Sequence, residues 1–350
     1  MLGIYHLRNN WKGLTLSKLS SRRWWPEYSG RIIAALLAAG LLLAGGASGA
    51  DPKPGEWGMK APLLEANSEF ALAKLDGKLY VIGGYPKTRE TVRTVQIYDI
   101  KSDTWTLGPP LLLPNNHGMA VTVNGKIYAI GGQTEARGRG SFVKTVYELD
   151  PKAGKWEEKA RMPTERSGGV PIVIDGRVYV AGGRPPHGHD FAVYDPKTDK
   201  WETLPDMPSQ RNHIAGAAIA GKIHVVGGRL GGGFRSDKTA VHEVFDPKTK
   251  TWSIAAPMLK ARSGINGVMA RGCFHVWGGE EEAGVFPDHD VYNPRTDKWT
   301  HLKDMPIPIH GVTGASFVGG LIFVTGGGTR VGGSSGSLLN QVYRPAMSCE

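Results

Sequence analysis

Two cysteines in 350 residues exclude both a small disulfide-stitched scaffold and a multi-cysteine metal cluster. Phosphate-binding and hydrolase signatures are missing too: there is no P-loop, no Gly-x-Ser-x-Gly elbow and no His-Glu-x-x-His. Glycine clusters such as "RLGGGF" lie between apolar segments and not ahead of a helix, so they are not dinucleotide fingerprints. After residue 50 no apolar run is long enough to span a bilayer. Acidic excess is absent, but so is a true basic surface. Half of the formal charge of +10 sits in the first 50 residues, where Arg8, Lys12, Lys18, Arg22, Arg23 and Arg31 face only Glu27. The remainder holds no Lys/Arg block with interleaved aromatics, and nucleic acid is excluded as a partner.

Residues 32–50, "IIAALLAAGLLLAGGASGA", carry no charge, follow Arg31 and end in small residues. A basic region, an apolar core and a small-residue exit make an export signal. Cleavage after Ala50 would leave residues 51–350 as a single domain, exported to a periplasmic or extracellular space. The alternative is an uncleaved anchor, since 19 uncharged residues just span a membrane; only then would the chain be a membrane protein. "SRRWW" (21–25) resembles a twin-arginine export motif, from which Pro26, Glu27 and the gap before the apolar run depart.

Glycine is what the chain has in quantity, 49 residues without a three-residue period, which means turns and not collagen. Gly-Gly pairs recur at 83–84, 131–132, 182–183, 227–228, 278–279 and 326–327, and tryptophans at 57, 105, 156, 201, 252 and 299. Such a beat defines six repeats. Within one, "GMAVTVNGKIYAIGG" (118–132) reads as two strands joined by an Asn124-Gly125 hairpin, as Asp76-Gly77 and Asp175-Gly176 do elsewhere. "TVYELD" (145–150) and "KWEEKA" (155–160) supply two more strands. The recurring octapeptide between such outer strands, "YDPKTDKW" (194–201) and its near-copies, is turn chemistry. Each repeat is therefore a four-stranded antiparallel sheet with two apolar faces, and radial stacking into a closed ring buries both.

Gly-Gly ending an apolar strand, then Tyr-Asp, then Trp about twenty residues on, resembles the Kelch repeat over residues 56–344. The resemblance implies an all-β, six-bladed β-propeller. The last repeat departs from the pattern, with Arg344 after Tyr343 and no following Trp, whereas Trp57 precedes the first Gly-Gly. The segment "EWGMKAP" (56–62) should therefore be the outer strand of the sixth blade, closing the ring. Each Trp is expected to pack between blades.

In such a ring the strands run a to d from the axis outward, and the long, variable b–c and d–a loops share one face. That face is where a rigid scaffold carries function, and where many Kelch proteins bind ligands. The segments ahead of the a strands bring polar residues there: His117, Arg166, Ser167, Arg211, Asn212, His213, Arg262, Ser263 and His310. Three readings stay open. These side chains bond neighbouring loops; or they form a mouth for an acidic ligand, a sugar or a peptide; or His117, His213 and His310, in alternate blades, converge on a metal. No cofactor is indicated. The expected function is an exported, monomeric binding module for a protein or glycan. The alternative is a carbohydrate-modifying enzyme of the sialic-acid mutarotase kind at the same mouth, with Glu280, Glu281 and Glu282 as candidate acids. The copper chemistry of galactose oxidase does not fit, because Cys273 falls at the wrong end of its strand. Cys273 and Cys349 end on one face of neighbouring blades and are able to pair in an oxidising compartment.

Overall fold

The sheet order follows chain order around a ring. A computed structural model describes residues 50–136, 141–333 and 335–350; the expected export segment lies outside them apart from Ala50. Blade one has strands a–d at Phe70–Leu75, Lys78–Ile82, Val95–Asp99 and Thr104–Leu107. Blades two, three and four repeat this over Met119–Glu158, Val170–Thr203 and Ala215–Ala255. Blade five runs from Ser263 to His301, and its b strand, Cys273–Glu281, continues into a short hairpin with Gly284–Val285. In the sixth blade Ser316–Val318, Leu321–Thr325 and Asn340–Tyr343 form the inner three strands. Its outer strand is Trp57–Met59, paired antiparallel with Tyr343 to Gln341. The ring is thus closed by joining the two ends of the domain in one sheet, as the position of Trp57 implies.

The repeated residues are the devices that join blades. Every repeat tryptophan donates its indole N–H to a carbonyl about one blade away: Trp57 to Lys303, Trp105 to Ala61, Trp156 to Pro109, Trp201 to Ala160, Trp252 to Pro205 and Trp299 to Ala256. In the octapeptide, the first acid caps the turn amides (Asp195 accepts from Lys197 N–H), and the Tyr194 hydroxyl donates to Asp199 at 2.6 Å. Asp199 in turn accepts from the Ala160 amide of the neighbouring blade. The Gly-Gly pairs work toward the next blade. The second glycine donates to the carbonyl of Asn115, Arg166, Arg211, Arg262, Ile309 or Asn67 in turn. A Cβ on Gly83 would lie 2.2 Å from the Asn115 carbonyl oxygen, and its φ is +66°. Only glycine meets both conditions.

Between blades the a, b and c strands bury alternating aliphatic and aromatic side chains; Ala71, Tyr80 and Ile82 pack with Ala120, Ile127 and Tyr147, for example. Each fully buried Val, Leu, Ile or Phe contributes about 1.5–3 kcal/mol. In blade six the inner strand is broken. Val312–Thr313 pairs in parallel with Phe70–Ala71 of blade one before the chain turns at Gly314. Cys273 and Cys349 form a disulfide with Cα atoms 5.1 Å apart, fixing the C-terminus against blade five. Among the described residues no helix is long and apolar enough to cross a membrane.

Candidate functional site

The loop-rich end of the axis is built in two tiers, one residue per blade in each. The lower tier is Glu69, His117, Gly168, His213, Gly264 and Gly311. Each donates its amide N–H to the carbonyl of the preceding member, and Glu69 donates to Gly311, so six bonds of 2.5–3.2 Å close a belt around the axis. The geometry needs a left-handed backbone: φ is +71°, +69° and +69° at the glycines, and +54°, +50° and +55° at Glu69, His117 and His213. A non-glycine residue there costs about 1–2 kcal/mol. The upper tier is the residue after each Gly-Gly: Tyr85, Gln133, Arg184, Arg229, Glu280 and Gly328. Each pairs with the residue just before the belt: Ser68, Asn116, Ser167, Asn212, Ser263 and His310.

A cavity of about 330 Å³ opens above the belt. Glu69, Tyr85, Arg89, His117, Gln133, Arg184, Arg229 and Glu280 supply its polar lining, and Phe142 and Phe234 an apolar rim. Arg229 holds Glu280 at 2.9 Å, with both side chains nearly buried. Arg184 donates to Gly232 O and, at 2.8 Å, to His117 Nε2. The Nε–H groups of Arg184 and Arg89 are buried and have no partner among the described residues. Burial, with Arg229 alongside, lowers Arg184 to about 10, which leaves it a cation. Burial raises the Glu69 carboxyl above its usual range, opposed by His310. It also presses on Glu280, but His310, Arg229 and the Gly332 amide outweigh it and hold that carboxyl low. His117 and His213 are kept neutral, first by burial and then by Arg184 and Arg229.

The residues singled out from sequence divide. His117 lines the cavity, and His213 lies just beneath it with Glu69 and His117. Ser167 and Asn212 support the upper tier. Ser167 Oγ donates to Gln133, and Asn212 Oδ1 accepts from His213 Nδ1 at 2.6 Å and from Arg229 Nε. Ser263 is buried, and its hydroxyl has no partner among the described residues. Arg166, Arg211 and Arg262 do not line the mouth; at 2%, 0% and 0% exposure they are clasps inside their own blades. Arg211 Nη1 donates to the carbonyls of Gly227 and Val241, and Nη2 to Glu243 at 2.6 Å. Arg262 repeats this with Gly278, Asp288 and Asp290, and Arg166 with Val180 and Asp190 carbonyls. Asn67 and Asn115 do the same work in blades one and two, donating to Gly83 and Gly131.

The expected trio of histidines is also redrawn. His310 is one position ahead of the belt, donates Nε2–H to Arg330 O, and approaches Glu69 and Glu280 with Nδ1 at 3.8 and 3.5 Å. The third member of the His117 and His213 group is Glu69. Glu69 stands fourteen residues before its Gly-Gly, as His117 and His213 do, whereas His310 is sixteen before its own. Counting back from the Gly-Gly pairs would have found Glu69, and reading one residue past them the upper tier. Of the three acids 280–282, Glu280 enters the site, whereas Glu282 is exposed and pairs with Arg235.

Among known proteins, the KLHDC2/KLHL20/DRC7 Kelch-repeats domain matches residues 59–228 and the Kelch motif residues 210–259. Kelch-like protein 35 of Mus musculus is 29% identical over 138 residues, 39% of this chain and 22% of that protein. Kelch-like protein terF of Aspergillus terreus is 30% identical over 125 residues, 34% of this chain and 27% of that one. The chain thus spans about a quarter of the length of these relatives. In the solved structures, YjhT superposes with a TM-score of 0.66 at 14% identity, covering 80% of this chain and 95% of its own, which is a likeness of fold. With six blades closed by the N-terminal strand and the Gly-Gly, Tyr-Asp and Trp devices in their places, the chain belongs to the Kelch-repeat β-propeller family.

Proposed function

We propose that this propeller is an exported binding module whose loop-rich mouth takes the carboxylate-bearing end of a glycan. One observation carries the reading. Arg89, Arg184 and Arg229 converge on a cavity the size of a small sugar, and two of their buried guanidinium N–H groups have no partner among the described residues. Buried donors without acceptors are costly, and an anionic oxygen supplies the missing partner with a charge-assisted bond. Phe142 and Phe234 offer apolar surface to a sugar ring. Export is supported by the 1–50 sequence and by the Cys273–Cys349 pair, a bond that persists in oxidising compartments.

Calorimetry and thermal shift with N-acetylneuraminate, glucuronate and glucose test this. The acidic sugars should bind and glucose should not. At a hundredfold excess over Kd the native state gains about 2.7 kcal/mol. Arg184→Met should remove the effect and leave the fold intact. Equal response to neutral and acidic sugars, or none to either, would refute the carboxylate reading. A second reading rests on the Glu69 and Glu280 carboxyls lining the same cavity: a carbohydrate-modifying activity of the mutarotase kind. Magnetisation exchange between the anomers of a bound acidic sugar distinguishes the two, because a pure binder leaves that rate at its uncatalysed value.

A further inference from the structure

Three of the six belt positions hold glycine, the residue that the left-handed backbone favours. The other three hold His117, His213 and Glu69, and these are the side chains that meet under the mouth. Their glycine neighbours make room for them. A Cβ on Gly168 would lie 3.0 Å from the His213 ring, and one on Gly311 2.5 Å from the Glu69 carboxylate. A backbone tolerating the wrong residue at three places, all facing one point, indicates a job for those side chains.

We propose that Glu69, His117 and His213 form a binding site for one divalent transition-metal ion of the Zn2+ class at the floor of the mouth.

Both imidazoles are set for ligation. Each Nδ1–H is donated to the side-chain oxygen of the preceding asparagine, at 2.5 Å to Asn116 and 2.6 Å to Asn212. That bond fixes the tautomer and leaves Nε2 as the ring's acceptor atom, the arrangement in which outer partners orient metal-binding histidines. The His213 Nε2 is buried and has no partner among the described residues. The Glu69 Oε2 lies 3.2 Å from His117 Nε2, close to the ligand–ligand separation of about 3.3 Å that Zn–N and Zn–O bonds near 2.0–2.1 Å imply for a tetrahedral ion. One ligand atom from each of the three residues falls within 4.8 Å of the others. Two imidazoles and one carboxylate suit Zn2+ and Fe2+ and leave positions open toward the cavity.

Charge is arranged around this point. Arg229 is held by Glu280, whereas Arg184, which pairs with no carboxylate among the described residues, donates from Nη2 to His117 Nε2. Arg184 and the ion therefore compete for one lone pair, and binding of the ion releases the guanidinium into the cavity. This gives opposite signs for one substitution. Arg184→Met should tighten Zn2+ binding, although it removes the acidic-sugar response of the proposed function.

The test is metal analysis of the purified protein by mass spectrometry, followed by Zn2+ and Co2+ titration with no sugar present. Wild type should carry or take up one ion per chain, and Co2+ should give a visible ligand-field spectrum. His213→Gly and Glu69→Gly place the residue that the belt already uses in other blades, so they should fold with unchanged or higher melting temperature and lose the ion. Asn212→Ala should weaken Zn2+ about 10–100-fold. His301→Gln, at an exposed histidine, should bind as wild type. No stoichiometric ion in wild type, or retention of it by His213→Gly, overturns the site. If the acidic sugar still binds in that case, the reading of the mouth stands without the metal.

Discussion

The arginines show how one residue type takes opposite roles a few ångströms apart. Arg184 and Arg229 follow a Gly-Gly and face the cavity; Arg211 and Arg262 precede the belt and face into the blade. Position within the repeat decides: the residue after the Gly-Gly lines the cavity, whereas the arginine two places before the belt bonds carbonyls of its own blade beneath the preceding blade's loop. A ligand role and a clasp role make different predictions. Arg211→Met leaves Glu243, 1% exposed at its side chain, as an unpaired buried charge and frees the Gly227 and Val241 carbonyls. Removing one partner of a buried pair costs about 3–5 kcal/mol. The expected outcome is a large drop in the urea midpoint with no change in acidic-sugar affinity at temperatures where the protein stays folded. A variant of wild-type stability that cannot bind the sugar would return Arg211 to the site.

At the scale of elements, blades four and five share a feature that the repeat does not require. His224 and His242 bond Nδ1 to Nε2 at 2.8 Å across strands b and c, and His275 and His289 do so at 3.0 Å. Each pair lies under the tyrosine of the next blade, Tyr292 and Tyr343. Burial holds His224 at about 3, His242 at about 4 and His275 at about 4, and His289 well below its ordinary value. The folded state therefore refuses protons that the unfolded chain takes near 6.5. The stability these imidazoles contribute is complete above pH 6.5, and it is lost as pH falls through 6.5 toward 4. A shift from 6.5 to about 4 is worth roughly 3 kcal/mol per imidazole. Urea midpoints should fall steeply between pH 6.5 and 5, where most carboxylates remain ionised, and His275→Gln should flatten that slope. A midpoint independent of pH across this window would show that the pairs contribute nothing.

The whole ring depends on two closures at opposite ends of the chain. Trp57–Met59 completes blade six, with Trp57 packed on Tyr343 and His289 and its indole N–H on Lys303. The disulfide then fixes the last residues to blade five. Deleting residues 51–60 would open the edge of Asn340–Tyr343 and expose unpaired N–H and C=O groups. Loss of cooperative unfolding and concentration-dependent association are expected, read by calorimetry and light scattering. A deletion that still melts in one transition near the wild-type temperature would mean that closure is dispensable.

Short-range chemistry carried most of the architecture. The hairpin dipeptides, the Tyr-Asp to Trp turns and the Gly-Gly strand ends each act within about twenty residues or on the adjacent blade. Their period therefore stated the number of blades, the strands in each and the origin of the closing strand. Even so, Ala220-Gly221 and Arg271-Gly272 turn with the same positive φ values as Asp76-Gly77 without announcing it. The candidate mouth was legible in part: His117 lines it, His213 lies beneath it, and Ser167 and Asn212 brace its upper tier. Glu69, Arg184 and Arg229 were missed as a group, because what unites them is convergence on the axis. A residue's distance from that axis depends on all six blades closing, and whether an arginine faces the cavity or its own sheet depends on its place relative to the belt and the Gly-Gly. The sequence determined the blade; the ring, which brings residues about 50 and 150 positions apart to one point, decided the mouth.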